Sequence, residues 1–317
     1  MNTQPENALI QAYEFIKNGD PARARPLLED ALPYDLENGE ILFALRCANY
    51  WVDLITKLGA IPTPFERGEG LVNHWKQFTK DIAKGQGLKY ERSVYAVRKG
   101  VFTLALENYR QLLQDKHPLQ RAEAHRKAGL CYKELGDYET ALSYLSEANS
   151  LLEEVSRVPD SAAVLAEMAD CYALCGRDDY AKVLFREAFF AGAGKVELVF
   201  LDSALITNLV ELVYSKGFRG QPLLEWLPVY GVLYGVLNIK RQLRPQEAGR
   251  LRQEIYALEN EMKDPAGEPE ILIPRLINHY FWLIDHYVTT NDDRSKINET
   301  LLKIKLLDND VYNRYTI

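Results

Sequence analysis

The sequence predicts an all-α chain built from stacked antiparallel helical hairpins. Three observations lead there. Gly19, Gly100, Gly136 and Gly176 each sit in the same local pattern, apolar residues recur at helical rather than strand spacing, and 47% of the 317 residues are hydrophobic, enough for a continuous core.

The clearest copy runs from Ala122 to Val155 and places Gly129, Tyr132, Gly136, Tyr138, Ala141, Leu145 and Ala148 at fixed offsets. The same offsets fall later on Ala169, Tyr172, Gly176, Asp178, Ala181, Phe185 and Ala188. Moving toward the N-terminus they fall on Ser93, Ala96, Gly100, Phe102, Ala105, Tyr109 and Leu112, and again on Ala12, Phe15, Gly19, Pro21, Ala24, Leu28 and Ala31. Each position has a physical role. The small residue before the aromatic lets one helix lie close to its partner, the aromatic fills the gap, and the glycine supplies the positive φ that stops the first helix. The alanines beyond it share one face of the second helix, where short side chains let backbones approach. A hairpin with two apolar faces must stack on neighbours.

Taken in order, a first hairpin turns at Gly19 and a degenerate copy follows, with a helix from Gly39 to Leu58, a stop at Gly59, a turn holding Pro62 and Pro64, and a helix from Phe65 to Lys84. Further hairpins turn at Gly100, Gly136 and Gly176, the last after an insertion that ends before Ser161. Beyond Lys195 a half-recognisable repeat carries Tyr214 and Gly217, with Pro222 where an alanine is expected. An amphipathic helix over Pro245 to Lys263, a linker at 263–270, and a final hairpin of Ile271 to Thr290 and Arg294 to Leu307 complete the reading.

These motifs resemble the tetratricopeptide repeat family, whose 34-residue unit carries a small residue, Tyr, Gly and two Ala in this order. The resemblance covers residues 5–195 and fades over the divergent helical remainder, so the expected domains are 1–195 and 196–317. It implies a right-handed superhelical solenoid whose concave groove holds an extended or helical segment of a partner protein. The family's carboxylate clamp for chaperone C-termini needs Lys and Asn at two repeat positions; here those positions hold Leu9 with Tyr13, Tyr90 with Val94, Arg126 with Leu130, and Ala166 with Asp170. The clamp is absent. The expected groove is instead apolar and aromatic at Leu9, Tyr13, Tyr90, Val94, Val97 and Leu130, with Arg98, Arg126 and Lys133 adding charge toward its middle. The alternative is that these residues pack permanently against the C-terminal hairpin or a second subunit.

The remaining features exclude more than they assign. A net charge of −7 and a pI near 5.4 oppose a general nucleic-acid role, with a local exception at 240–252, where Lys240, Arg241, Arg244, Arg250 and Arg252 read as a solvated helix and loop or an anion patch. The N-terminus lacks the basic and apolar regions of a signal peptide. The apolar run Leu223 to Ile239 contains Glu225, Pro228 and two glycines and is expected to be core helix rather than a membrane span. Cys131 and Cys171 share one repeat position and read as buried thiols in a reducing, cytoplasmic compartment. Cys171 and Cys175 lie four apart without a second ligand pair, and His279 and His286 beside Asp285 interleave with Tyr280, Phe281, Trp282 and Tyr287 on a packing helix, so no metal is expected. No phosphate loop, nucleophile elbow or HExxH motif is present, and no cofactor is expected. The leading expectation is a non-enzymatic interaction scaffold; the others are a peptide-sensing regulatory module, a structural homo-oligomer with a self-filled groove, and an enzyme whose site is a pocket in the C-terminal third.

Overall fold

The structure, a computed structural model, describes residues 3–83, 85, 89–155 and 160–316, and these residues form α-helices and short 3-10 turns with no strand. They divide into two compact units, residues 1–155 and 156–317.

The first unit contains α1 (Thr3–Lys17), α2 (Pro21–Ala31), α3 (Gly39–Gly59), α4 (Pro64–Asp81), α5 (Glu91–Arg110), α6 (Pro118–Glu134) and α7 (Tyr138–Glu154). At the α1–α2 junction Gly19 has φ +74° and at the α6–α7 junction Gly136 has φ +86°. In both, the glycine N–H donates to a carbonyl three residues back and the following N–H reaches the carbonyl of the aromatic: Asp20 to Phe15 at 2.9 Å, Asp137 to Tyr132 at 2.9 Å. This pair of hydrogen bonds satisfies two of the orphan carbonyls of the first helix. The residue after the glycine then caps the second helix, since the Asp20 side chain accepts from the Arg23 N–H and the Asp137 side chain from the Thr140 N–H. The small residue does what its position requires: a Cβ on Gly129 would lie 2.7 Å from Leu145 Cγ on the facing helix.

Gly100 departs from this pattern. No hairpin turns there; α5 runs straight through it, and its φ is not among the positive ones. Two physical reasons apply. Gly100 is followed by Val101, which cannot cap a helix, and a Cβ at Gly100 would lie 2.0 Å from the Ile16 carbonyl oxygen. The glycine serves contact rather than turning, letting α5 lie against α1. The two helices run in the same direction, with Tyr13 meeting Ser93, Ile16 meeting Gly100 and Gly19 meeting Leu104. The degenerate copy occupies α3 and α4 as expected, with Pro64 at the first position of α4; the expected end at Lys84 lies outside the described residues. The pairing differs, because α4 packs far more extensively on α5 than on α3, while α3 lies along α2.

The second unit contains α8 (Ser161–Leu174), α9 (Asp178–Gly192), two 3-10 turns, α10 (Ala204–Ser215), α11 (Gly220–Leu233), α12 (Pro245–Glu261), α13 (Pro269–Thr289), α14 (Arg294–Leu307) and α15 (Asn309–Tyr315). The α8–α9 junction repeats the turn of the first unit, with Gly176 at φ +74° and Arg177 N–H donating to the Tyr172 carbonyl at 2.8 Å. Helices α8 and α9 share one hydrophobic core with α10–α15, so packing divides the chain before Ser161 rather than at Lys195, where the repeat motif fades. The centre of this core is α13, which packs on α11, α12 and α14 and buries every residue from Asn278 to Tyr287. A helix buried on all sides reads as aromatic and aliphatic all round. The final hairpin appears where expected; α15 was not foreseen. Among the described residues no helix is long and apolar enough to cross a membrane.

Gly100→Ala separates the two roles of glycine. Alanine improves helix propensity by about 1 kcal/mol, yet here it drives a methyl into backbone, and a net destabilisation of about 1–3 kcal/mol is expected. Gly136→Ala meets open space and is expected to cost about 1–2 kcal/mol through its positive φ alone. Urea denaturation measures both, and a raised midpoint for Gly100→Ala would show that α1 and α5 do not touch at this point.

Candidate functional site

The nine residues expected to line a groove lie on α1, at the start and along the first half of α5, and on α6. Six are buried: Leu9, Tyr13, Val97, Arg126, Leu130 and Lys133. Tyr90, Val94 and Arg98, spaced four apart at the entrance to α5 and along it, remain partly exposed. Tyr13 meets α5 through Ser93, next to Val94, and forms a floor there, while the other five are buried in the core.

The floor is held by a hydrogen-bonded joint between three helices. The Tyr13 hydroxyl of α1 donates to Glu40 Oε1 of α3 at 2.8 Å. Its proton is thereby spent, so Ser93 of α5, 2.8 Å away, is the donor to the phenol oxygen. Arg92 caps this joint from outside, its guanidinium 5.3 Å from the Tyr13 ring and 3.1 Å from Glu6. Tyr90 is anchored beside it, stacked on Phe43 with centroids 4.8 Å apart and planes 16° apart. Its hydroxyl presses on α3 where a Cβ on Gly39 would lie 2.5 Å away, so a larger residue there would displace the ring tip.

The charged residues also hold structural positions. Arg98 Nε donates to the Glu134 carbonyl at 2.9 Å and lies 3.1 Å from Glu134 Oε2, and Lys133 is 3.5 Å from Glu134 Oε1. Arg126 pairs with Glu123 at 3.2 Å, one turn back on α6. A second joint that the sequence did not signal lies beneath: Tyr109 donates to Glu69 Oε1 at 2.6 Å, and Lys127 reaches the same carboxylate at 2.8 Å. Ser93 stands at the small-residue position of the repeat but Glu40 and Glu69 carry no motif, and only their contacts with distant partners reveal them.

In the second unit Asp285, noticed in sequence for its neighbour His286, is instead the ion partner of Arg186. His279 Nδ1 lies 2.7 Å from the Arg275 carbonyl on the same helix, and burial lowers the pKa of His286, so the imidazole is disfavoured as a cation. Of the basic stretch, Arg241 grips Glu187 and Glu247 and lies over the Trp282 ring at 5.4 Å. Those carboxylates hold the guanidinium well above its ordinary pKa. This arginine therefore fastens the loop before α12 and is not displayed for an anion. Among the described residues no three side chains of metal-ligating type converge.

No family model and no curated protein matches the chain. Among solved structures, it is similar at 14% identity to the crystal structure of a Rap protein complexed with competence and sporulation factor, over 99% of this chain and 100% of that one. The TM-score is 0.25, too low for one backbone to inform the other.

The tyrosine joints are testable through alkaline titration. Burial, reinforced by the adjacent carboxylates, raises the pKa of Tyr13 and Tyr109 above the ordinary 10.0. The fold thus favours the neutral phenol, so this contribution to stability is complete below pH 10 and is lost as pH rises beyond it. Absorbance at 295 nm is expected to show exposed tyrosines ionising near pH 10 and these two only with loss of helix. Ionisation of every tyrosine near pH 10 with an unchanged far-ultraviolet spectrum would contradict the buried joints.

Proposed function

We propose that the chain is a non-enzymatic protein-interaction module of the tetratricopeptide type, which holds a segment of a partner protein within a larger assembly. The reading rests on the stripe of Tyr90, Val94 and Arg98, partly exposed on α5 above a floor fixed by the Tyr13–Glu40–Ser93 joint. An aromatic, an aliphatic and an arginine at successive turns make an amphipathic strip of the kind that receives a helix or extended segment. Its rigidity matters as much as its composition, because Tyr90 is already stacked on Phe43 and loses little freedom on binding. Leu9, Tyr13, Val97, Leu130, Arg126 and Lys133 support the strip from below in this reading. The module needs no cofactor or metal, and it works in the cytoplasm, where buried thiols such as Cys47, whose pKa burial pushes up to about 12, remain unreactive.

The test uses surface variants, since truncating Tyr13 would unfold the floor. Photo-crosslinking from position 94 in the native extract is expected to capture a discrete partner. The double variant Val94→Glu, Arg98→Glu is expected to reduce its retention at least about tenfold while keeping its helical far-ultraviolet spectrum, with a melting temperature lowered by loss of the Arg98–Glu134 pair. Equal retention by wild type and the double variant would remove α5 as the binding surface. A crosslink to a second copy of this chain, with a concentration-dependent dimer lost in the variant, would replace the partner with a homo-oligomer.

A further inference from the structure

The second unit holds a concavity of about 540 Å³, open to solvent, between α9, the end of α11, the loop before α12, α13, α14 and α15. Its lining is mixed, with an aliphatic side of Val232, Leu233, Ile284, Ile297 and Leu301 facing polar and charged residues. At its floor lies the pair of Arg186 and Asp285, 4% and 2% exposed. One guanidinium nitrogen donates to Asp285 Oδ2 and the other to the Ile239 carbonyl, while Arg186 Nε and Asp285 Oδ1 have no hydrogen-bond partner. Lys240 Nζ stands 3.6 Å from that unmet oxygen. A buried ion pair left incompletely satisfied is costly, and natural cores rarely keep one without use.

Charge decides what the concavity would accept. Arg186, Lys240 and Arg314 outnumber Asp285, so the rim keeps a net positive charge, with Lys240 half exposed 3.6 Å from Asp285 Oδ1 and Arg314 over Tyr234 at 4.7 Å. We infer that this concavity is a binding site for a short aliphatic carboxylate, with its hydrocarbon body against α11, α13 and α14 and its carboxylate between Lys240 and Arg314.

Other ligand classes fit less well. A nucleobase needs an open aromatic face, but the Tyr315 ring is stacked on Phe281 at 4.4 Å and Trp282 is covered by Phe190 at 4.5 Å and Arg186 at 4.7 Å. A cation meets the wrong sign of charge. Chemistry on the ligand is not provided for either: no histidine, cysteine or serine lines the concavity, Asp285 is tied up by Arg186, and burial holds Tyr315 in its neutral form. The pocket in the C-terminal third thus reads as a receptor rather than an active site. This inference is independent of the α5 surface.

Calorimetry of the full chain tests it with three probes: 4-methylpentanoate, the peptide acetyl-Gly-Gly-Leu with a free carboxylate, and the same peptide as its amide. At least one of the two acids is expected to bind, and Lys240→Glu and Arg314→Glu are each expected to weaken it about tenfold or more while the helical far-ultraviolet spectrum is kept. Tighter binding of 4-methylpentanoate would identify a free small acid as the source, and tighter binding of the peptide acid a chain terminus. The inference is overturned if the amide binds as tightly as the acid, if charge reversal leaves affinity unchanged, or if neither acid binds at up to about 10 mM. The α5 double variant is expected to bind the acid like wild type, so failure here and failure of the proposed partner surface are distinguishable.

Discussion

The first unit depends on one close approach, that of α5 to the Ile16 carbonyl at Gly100. Because no side chain intervenes, α1 and α5 lie near enough for Tyr13 to span to Ser93 and for Glu40 of a third helix to complete the joint. The placement of α5 follows from this. The stripe of Tyr90, Val94 and Arg98 is presented by a helix that can neither slide nor rotate without breaking a buried hydrogen bond or driving α1 away. Small residues here act as spacers that set helix separation, a role in which an added methyl costs more than lost propensity returns.

The two units solve the same problem with different materials. In the first, polar joints at Tyr13 and Tyr109 hold helices together, each a phenol donating to a carboxylate that a second group also engages. In the second, the core gathers around α13, with aromatic stacking between Phe281 and Tyr315 and between Phe190 and Trp282. Ion pairs on buried carboxylates join helices there as well: Arg186 on α9 with Asp285 on α13, at the floor of the concavity, and Arg275 on α13 with Glu225 on α11.

Local features of this fold were legible in the sequence, and those that need a distant partner were not. The turns at Gly19, Gly136 and Gly176 were readable because each is complete within a few residues: an aromatic, a positive-φ glycine and a polar residue or cap after it. Gly100 has the same spacing but a tertiary task, and only Val101 after it hints that no turn forms. Residues on a helix's apolar face were recognisable as Leu9, Tyr13, Val97 and Leu130, yet periodicity does not say whether that face meets solvent, a partner or a neighbouring helix; here it meets the core. The concavity was invisible for the same reason, since Arg186, Lys240, Asp285 and Arg314 belong to no common pattern.

The pair of Arg186 and Asp285 also sets a schedule. The two residues are 99 positions apart in the chain, whereas the hairpins at Gly19 and Gly136 close between immediate neighbours. During synthesis the α1–α2 and α6–α7 hairpins can close as they emerge, but Tyr13 must wait for Ser93, 80 residues on, and α9 must carry its arginine unmatched until α13 has been made. The second unit therefore closes only once α13 has emerged, and loss of Asp285 would leave that arginine with the Ile239 carbonyl but without its counter-charge.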